Sequence, residues 1–366
     1  MRPDVGDLSG GRDSRTAARV IVPDERAAAD SEPMKSAPDT PASTDPATLD
    51  PSRAYRRILI IRHGALGDFV QSLGPMKAIR DFHPDARITL LTSPAMEGLA
   101  KASGLADDVW LDDRPPAYRL PALMGLIRRL RKGKFDRVYD LQTSSRSARY
   151  WRLMGRPEWS GHVPGCSHPD PDPERDANHT IDRQRDQLAA AGIANVPLSD
   201  LGWAQADVER FGVRPPYVLL VPGGSAHRPE KRWPVEKYAA LARRLVQLHC
   251  TPVLIGGAGE RVALEEITHG NPQIANLCGE TDLADIAVLA RGALGAVGND
   301  TGPMHLIAMA GCPSLVLFSR DSDPALCAPR PGLLGGVVKT IRRENLKGLS
   351  GDEVEAALPF KVTGRA

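Results

Sequence analysis

From Tyr55 onward, short apolar runs alternate with longer amphipathic stretches, and this alternation confines the chain to a layered α/β architecture. RILII (Arg57–Ile61) reads as a buried strand. Residues 67–82 follow as a helix, with Phe69, Val70, Leu73, Met76, Ala78 and Ile79 on its apolar face. Residues 88–92 (ITLLT), 109–111 (VWL) and 137–141 (RVYDL) read as further strands, separated by helices over 94–103 and 120–132. Each such step implies a parallel crossover, so the series predicts an open doubly wound sheet. The rhythm stops over residues 156–178, which are rich in Pro, Asp and Gly and read as a long surface loop, and a helix resumes over 181–191. After Arg214, Pro215 and Pro216 a second series begins. Its strands are YVLLV (217–221), PVLIGG (252–257), part of IANLCG (274–279), GAVG (295–298) and SLVLF (314–318), which closes the series. Helices over 235–248, 261–267, 283–291 and 304–310 lie between them.

This divides the 366 residues into a leader over 1–54, a first domain over 55–210 and a second over 211–366. The leader has no aromatic residue and much Ala, Asp, Pro and Ser, so it lacks the apolar surface that offsets ordering entropy and is expected to be disordered. A net charge of +2 gives no sign of a nucleic-acid partner. The five cysteines form no CxxC pair, which argues against a disulfide framework or zinc knuckle and fits a reducing compartment. No apolar run approaches the roughly 20 residues of a membrane helix, and the N-terminus lacks the apolar core of a secretory signal. A soluble, cytoplasmic chain is expected, with attachment to a membrane surface left open.

Chemistry-bearing residues collect where strands hand over to helices. RHGALGDF (residues 62–69) follows the first strand, but GALGD is not the GxGxxG of a dinucleotide loop. Asp68 reads either as a helix-terminal acid or as a general base facing the cleft. In VPGGSAHRPEKRWP (residues 221–234), Gly223 and Gly224 allow close backbone approach, Ser225 adds a hydroxyl, and Lys231 and Arg232 add positive charge; a plain glycine turn with solvated cations is the alternative. In GNDTGPMHLIAMAG (residues 298–311), Asp300, Thr301, Gly302 and Pro303 open a helix, a natural phosphate site, with His305 one turn on. Glu260, in GGAGER, could accept hydrogen bonds from ribose hydroxyls or simply be a first-turn acid.

Arg146, Arg149, Arg152 and Arg156 recur at helical spacing, as a solvated basic face or a binder of an anionic acceptor. The run RRLRKGKFDR (residues 128–137), beside Leu123, Met124, Leu126 and Ile127, suits contact with anionic lipid headgroups. Asp170 with Asp172 and Asp321 with Asp323 match a DxD pattern, but acidic pairs are frequent in loops, and no HExxH, GxSxG or P-loop motif is present.

Taken in order, residues 57–92, 221–234 and 298–318 resemble glycosyltransferase family 9, the ADP-heptose:lipopolysaccharide heptosyltransferase family, over about residues 55–345. The resemblance implies a GT-B fold, two Rossmann-like domains facing across a cleft, with the acceptor on the first and the donor on the second. It implies inverting transfer of a sugar from a nucleotide diphosphate sugar, ADP-heptose in the best-known members, without a metal or other cofactor. The implied acceptor is the Kdo-containing inner core of lipopolysaccharide, a lipid-linked oligosaccharide, met at the cytoplasmic face of the inner membrane. By motif, Asp68 matches the base. Lys231 matches the lysine on donor phosphate, and Asp300, Thr301, Gly302 and His305 match the DTGxxH element at the donor. Glu260 matches an acid assigned to the ribose. Gly224 and Ser225 join the donor set, and Arg62, Gly67, Arg146 and Arg149 are the expected acceptor side. Two rival functions share these motifs: a nucleotide-sugar epimerase or hydrolase of the same fold, and a non-catalytic nucleotide-sugar-binding protein.

Overall fold

The structure, a computed structural model, describes residues 55–116, 118–224 and 229–362. The expected leader over 1–54 lies outside the described residues. The first half runs β1 (Arg57–Ile61), α1 (Leu66–Gln71), α2 (Leu73–Phe82), β2 (Arg87–Thr92), α3 (Glu97–Ala102), β3 (Asp108–Leu111), α4 (Leu120–Gly133), β4 (Arg137–Asp140), α5 (Ser145–Leu153), β5 (Glu158–Gly161), β6 (His168–Pro169) and α6 (Thr180–Ala190). The second half runs β7 (Tyr217–Val221), α7 (Val235–Gln247), β8 (Thr251–Leu254), α8 (Arg261–Thr268), β9 (Ala275–Asn276), α9 (Leu283–Gly292), β10 (Gly295–Asn299), α10 (Gly302–Met309), β11 (Ser314–Phe318), α11 (Pro324–Cys327), β12 (Val338–Arg342) and α12 (Gly351–Ala357).

Each half builds one parallel six-stranded sheet, ordered β3-β2-β1-β4-β5-β6 in the first and β12-β11-β10-β7-β8-β9 in the second. The two orders are the same topology. In each, the winding direction reverses at the centre, between β1 and β4 and between β7 and β10. That reversal opens a crevice beyond the carboxyl ends of the central strands, where open α/β sheets hold ligands. β1 shows why its sequence is a continuous apolar run: Ile58 and Ile60 enter one core cluster, Leu59 and Ile61 another, so both faces of the strand are covered. β7 repeats the pattern, with Leu219 and Val221 on one side and Val218 and Leu220 on the other.

Three sequence expectations change. The helix expected over 67–82 is two helices, broken at Ser72. Pro75 lacks the N–H that would reach Gln71, and its ring would collide with that carbonyl in a continuous helix. The stretch expected as a loop over 156–178 contains β5 and β6; β5 pairs with β4 and buries Trp159 completely. Four residues are too few to show periodicity among the flanking Pro, Asp and Gly. The second series does not close at β11, because β12 pairs alongside it. β12 is an edge strand with mixed exposure, VKTIR, and so lacks the apolar signature of its neighbours.

The halves meet through a shared core and one close helix contact. The cluster containing Ile58 and Ile60 also contains Leu219, Met304 and Leu306. Helices α1 and α10, each following the central strand at its own crevice, pack against each other. Glycine permits this on both sides: a Cβ on Gly67 would lie 2.6 Å from Cδ2 of His305, and one on Gly302 would lie 2.7 Å from Cβ of Leu66. Around this contact, Arg330 grips Asp182 with two hydrogen bonds of 2.7 and 2.6 Å, and His179 Nε2 bonds the Ala328 carbonyl at 2.9 Å.

Gly67→Ala should therefore destabilise the fold by about 1–3 kcal/mol through overpacking. In a His305→Ala background most of that penalty should vanish, because the ring it strikes is gone. Urea unfolding of the four members of this cycle measures the coupling, and additive effects would show that the contact is not tight.

Candidate active site

The second crevice lies between β7 and β10. It is a cavity of about 540 Å³ lined by Val221, Gly223, Gly224, Ile255, Gly256, Gly257, Glu260, Gly279, Thr281, Ile286, Asp300, Thr301, Gly302 and Pro303. The apolar wall of Val221, Ile255 and Ile286 suits a flat aromatic base, and the glycine backbones allow close approach. Glu260 hangs at the rim, where its Oε2 accepts from the Gly257 amide at 2.6 Å. Gly223 leaves room for it, since a Cβ there would lie 2.5 Å from Glu260 Oε1.

Asn299, fully buried at the end of β10, organises this wall. Its Nδ2 donates to the Pro222 and Gly223 carbonyls at 2.8 and 3.0 Å, and its Oδ1 accepts from the Trp233 amide at 3.0 Å and the Tyr238 hydroxyl at 3.1 Å. The glycine loop and the KRWP turn are thus stapled to one amide. Trp233 is buried and donates to the Leu349 carbonyl, which leaves Lys231 facing Asp300 across 2.8 Å. Both side chains are about nine-tenths buried, at 12% and 10% exposure, so the pair is shielded from solvent. Beside it α10 begins with Gly302 and Pro303, and the Thr301 hydroxyl is buried with no hydrogen-bond partner among the described residues. The start of a helix and the Thr301 hydroxyl line the cavity here, with an ammonium behind Asp300, a combination that fits a phosphate.

The first crevice, between β1 and β4, is smaller and strongly polar. A pocket of about 260 Å³ there is lined by Arg62, Asp68, Leu141, Gln142, Thr143, Arg175, Asp176, Thr180, Arg183, Gln184 and Gln187. The Asp68 side chain is 47% exposed and faces Arg62 Nη2 at 3.4 Å. Arg62 is buried and donates Nη1 to the Leu141 carbonyl at 2.5 Å. Burial lowers its pKa, against the opposing pull of Asp68 and Asp140. Several buried polar atoms of this crevice have no hydrogen-bond partner among the described residues: Arg62 Nε, both amide atoms of Gln184, and Gln187 Oε1. Buried polar groups are rarely left unpaired, so the crevice is built for a hydroxylated or charged ligand.

A family model described as glycosyltransferase family 9 (heptosyltransferase) matches residues 123–331, more than half of the chain. The chain belongs to glycosyltransferase family 9. Lipooligosaccharide heptosyltransferase 2 of Haemophilus influenzae is 30% identical over 135 residues, covering 36% of this chain and 38% of that protein. Lipopolysaccharide heptosyltransferase 2 of Salmonella typhimurium is 24% identical over 293 residues, covering 73% of this chain and 83% of that protein. Among solved structures, that of Escherichia coli ADP-heptose lps heptosyltransferase II superposes with a TM-score of 0.65 at 23% identity, over 82% of this chain and 97% of its own. The Escherichia coli heptosyltransferase WaaC with ADP gives a TM-score of 0.65 at 19% identity, over 82% and 98%. At these identities the structural likeness is one of fold, the GT-B arrangement.

Within this family 9 chain the expected site residues do not all gather. Gly224, Glu260, Asp300, Thr301 and Gly302 line the second crevice, with Lys231 on Asp300; Ser225 lies outside the described residues. Arg62 and Asp68 share the first crevice. Four of the expected residues line neither crevice. His305 lines neither cavity: it is buried between α1 and α10, with Nδ1 2.8 Å from Gln71 Nε2. Gly67 is buried against that ring. Arg146 is spent on the Arg114 and Pro115 carbonyls at 3.3 Å, and Arg149 is an exposed residue bonded to Ser145 of its own helix. The acidic pairs serve loops, since Asp170 holds Arg175 at 2.6 Å and Asp323 caps α11.

The sequence reading missed Asn299, Thr281, Ile286, Thr180, Arg183, Gln184 and Gln187. The α6 residues carry a signal in hindsight: polar Gln184 and Gln187 fall on the buried face of that helix.

Burial pushes the pKa of His305 down to about 4, with Asp300 and Asp68 pulling the other way and His179 adding to the depression. The unfolded chain takes up this proton near 6.5, whereas the folded chain resists it. Its stabilising contribution is thus complete above 6.5 and is lost as pH falls toward 4. The wild type should lose stability more steeply than His305→Gln over that window, by on the order of 3 kcal/mol at the acid end. Parallel pH–stability curves would show that the imidazole protonates freely in the fold.

Proposed function

We propose that the chain is an inverting glycosyltransferase that moves a heptose from ADP-heptose to a lipopolysaccharide inner-core acceptor. The observation that carries this reading is the pairing of two unlike crevices across one helix contact. One has an apolar wall and a cationic, amide-rich end, which suits a nucleoside diphosphate. The other is polar and presents the half-exposed carboxylate of Asp68. The names of the relatives, and of the solved Escherichia coli heptosyltransferase WaaC with ADP-2-deoxy-2-fluoro heptose, support heptose as the sugar and adenine as the base.

In this reading the base of the donor lies against Ile255 and Ile286, and Glu260 accepts from the ribose. The diphosphate meets Lys231, the Thr301 hydroxyl and the N-terminus of α10. Charge that builds on the departing diphosphate is met by fixed donors, which need no reorganisation at the moment of reaction. Asp300 holds Lys231 Nζ in place at 2.8 Å. The acceptor enters the first crevice against Arg62, Thr180, Arg183 and Gln184. Asp68 takes a proton from the acceptor hydroxyl as that oxygen attacks the anomeric carbon. The C–O bond to the diphosphate breaks on the opposite face, so the configuration inverts. Arg62, at 3.4 Å, orients the carboxylate. Because protein groups meet the diphosphate charge, turnover should persist in excess chelator.

The test is transfer from ADP-heptose to a deacylated inner-core oligosaccharide, followed by mass spectrometry. Asp68→Ala should cut turnover by about 100- to 10,000-fold while donor affinity stays within a few-fold. Turnover within a few-fold of wild type would remove Asp68 as the base. Conversion of ADP-heptose with no acceptor present would instead support an epimerase or hydrolase, and donor binding without any product a binding protein. Lys231→Ala should weaken ADP binding by about tenfold or more, read by calorimetry, through loss of a charge-assisted contact. Unchanged ADP affinity would place the diphosphate elsewhere.

A further inference from the structure

The flank of the first half carries a surface that neither crevice uses. Between Arg114 and Lys134 the chain holds seven Arg and Lys residues and no Asp or Glu. The inner face of α4 is apolar, with Leu126, Ile127 and Leu130 buried. Its outer face is amphipathic along its length. At the N-terminal end Tyr118, Leu120 and Met124 are 80%, 62% and 54% exposed. Toward the C-terminal end the same face continues as Arg128 and Lys132, both exposed. Beside them is a shallow depression of about 400 Å³ whose walls include Arg57, Trp110, Arg128, Arg129 and Lys132, with no acid among its lining residues.

Two of these cations have partners. Arg129 stacks on Trp110 at 4.3 Å, and Arg131 donates to the Leu153 carbonyl at 2.5 Å. The side chains of Arg119, Arg128, Lys132 and Lys134 make no hydrogen bond or ion pair with any described residue. A solvated basic face would be expected to intersperse acids or to pair along the helix. Here uncompensated cations and large exposed apolar side chains share one face, the composition of a helix that lies in a lipid headgroup layer. Charge complementarity names the occupant: an anionic bilayer, whose phosphates suit the depression and whose acyl boundary suits Tyr118, Leu120 and Met124.

We propose that the outer face of α4 and the adjoining Arg57–Trp110 depression dock the chain on an anionic phospholipid surface. Of the four apolar residues that the sequence places beside the basic run, Leu126 and Ile127 are buried, Leu123 is half-buried and Met124 is exposed, where Tyr118 and Leu120 join it. The geometry gives docking a purpose. The loop leading into α4 touches Arg146, in the first turn of α5, which follows the Leu141–Thr143 wall of the first crevice. A lipid-anchored substrate would therefore reach Asp68 from the membrane side. That purpose rests on the proposed transfer reaction, but docking itself does not.

Co-sedimentation of the full chain with vesicles tests it. The chain should bind vesicles of phosphatidylglycerol mixed with phosphatidylcholine, fail to bind phosphatidylcholine alone, and release as salt rises. Each cation near an anionic surface contributes about fivefold in partition, so Arg119→Glu, Arg128→Glu and Lys132→Glu together should lower partition by about a hundredfold or more. The alanine versions should give a smaller loss in the same direction, which separates docking from any misfolding of the reversed-charge chain. Tyr118→Ser with Leu120→Ser should weaken binding and leave the remainder more salt-sensitive. Equal binding to neutral vesicles, no binding by the wild type, or wild-type binding by the charge variants would each overturn the proposal; absence of vesicle binding would turn the face toward an acidic protein partner. Transfer to the deacylated, soluble acceptor should be unchanged in the charge variants. If the wild type performs no transfer, the enzymatic reading fails while the vesicle result stands.

Discussion

The contact between α1 and α10 is what the rest of the molecule depends on. Each helix starts where the central strand of its sheet ends, so each carries the residues that face its own crevice. Packing the two together brings the crevices within reach of one ligand pair. Gly67 and Gly302 allow the approach, and His305 fills the seam as a buried ring hydrogen-bonded to Gln71. Its burial is tolerable only because Gln71 satisfies one nitrogen, which couples an α1 side chain to an α10 side chain directly.

From that alignment the division of labour follows. The second crevice combines an apolar wall with Lys231, Thr301 and the start of α10, while the first is almost entirely polar. The ion pair of Lys231 with Asp300 is well shielded, and such pairs contribute little net stability against the cost of desolvating both ions. Its value is positional, since the carboxylate keeps the ammonium at the edge of the cavity where a diphosphate would meet it. Asn299 acts through backbone instead, tying the glycine loop, the KRWP turn and β10 into one rigid wall.

The architecture was legible where local signals were strong. Doubly buried strands such as RILII and YVLLV, followed by glycine and a helix, announce parallel crossovers, and both central strands were found from them. The crevice residues just past strand ends, Asp68, Asp300, Thr301 and Gly302, were legible for the same reason: glycine, proline and polar residues mark the handover. Elements without such signals were missed. β5 is four residues long, β12 is an exposed edge, and the break at Ser72 depends on the clash that Pro75 would cause one turn back. Partnerships across the chain were also invisible. His305 pairs with Gln71 across 234 positions, and the α6 residues join Arg62 only when the first half is folded. Arg146 misled because periodicity shows that residues share a face, not what that face touches.

The account stands most directly on where a nucleotide binds. A crystal structure of the chain with ADP decides it. The account requires the base against Ile255 and Ile286, the ribose at Glu260, and diphosphate oxygens within hydrogen-bond distance of Lys231 Nζ and the Gly302 amide. A diphosphate held instead by Arg62, Arg183 and Gln184 in the first crevice would contradict it, because donor and acceptor sides would then be exchanged and Asp68 would lie against the leaving group.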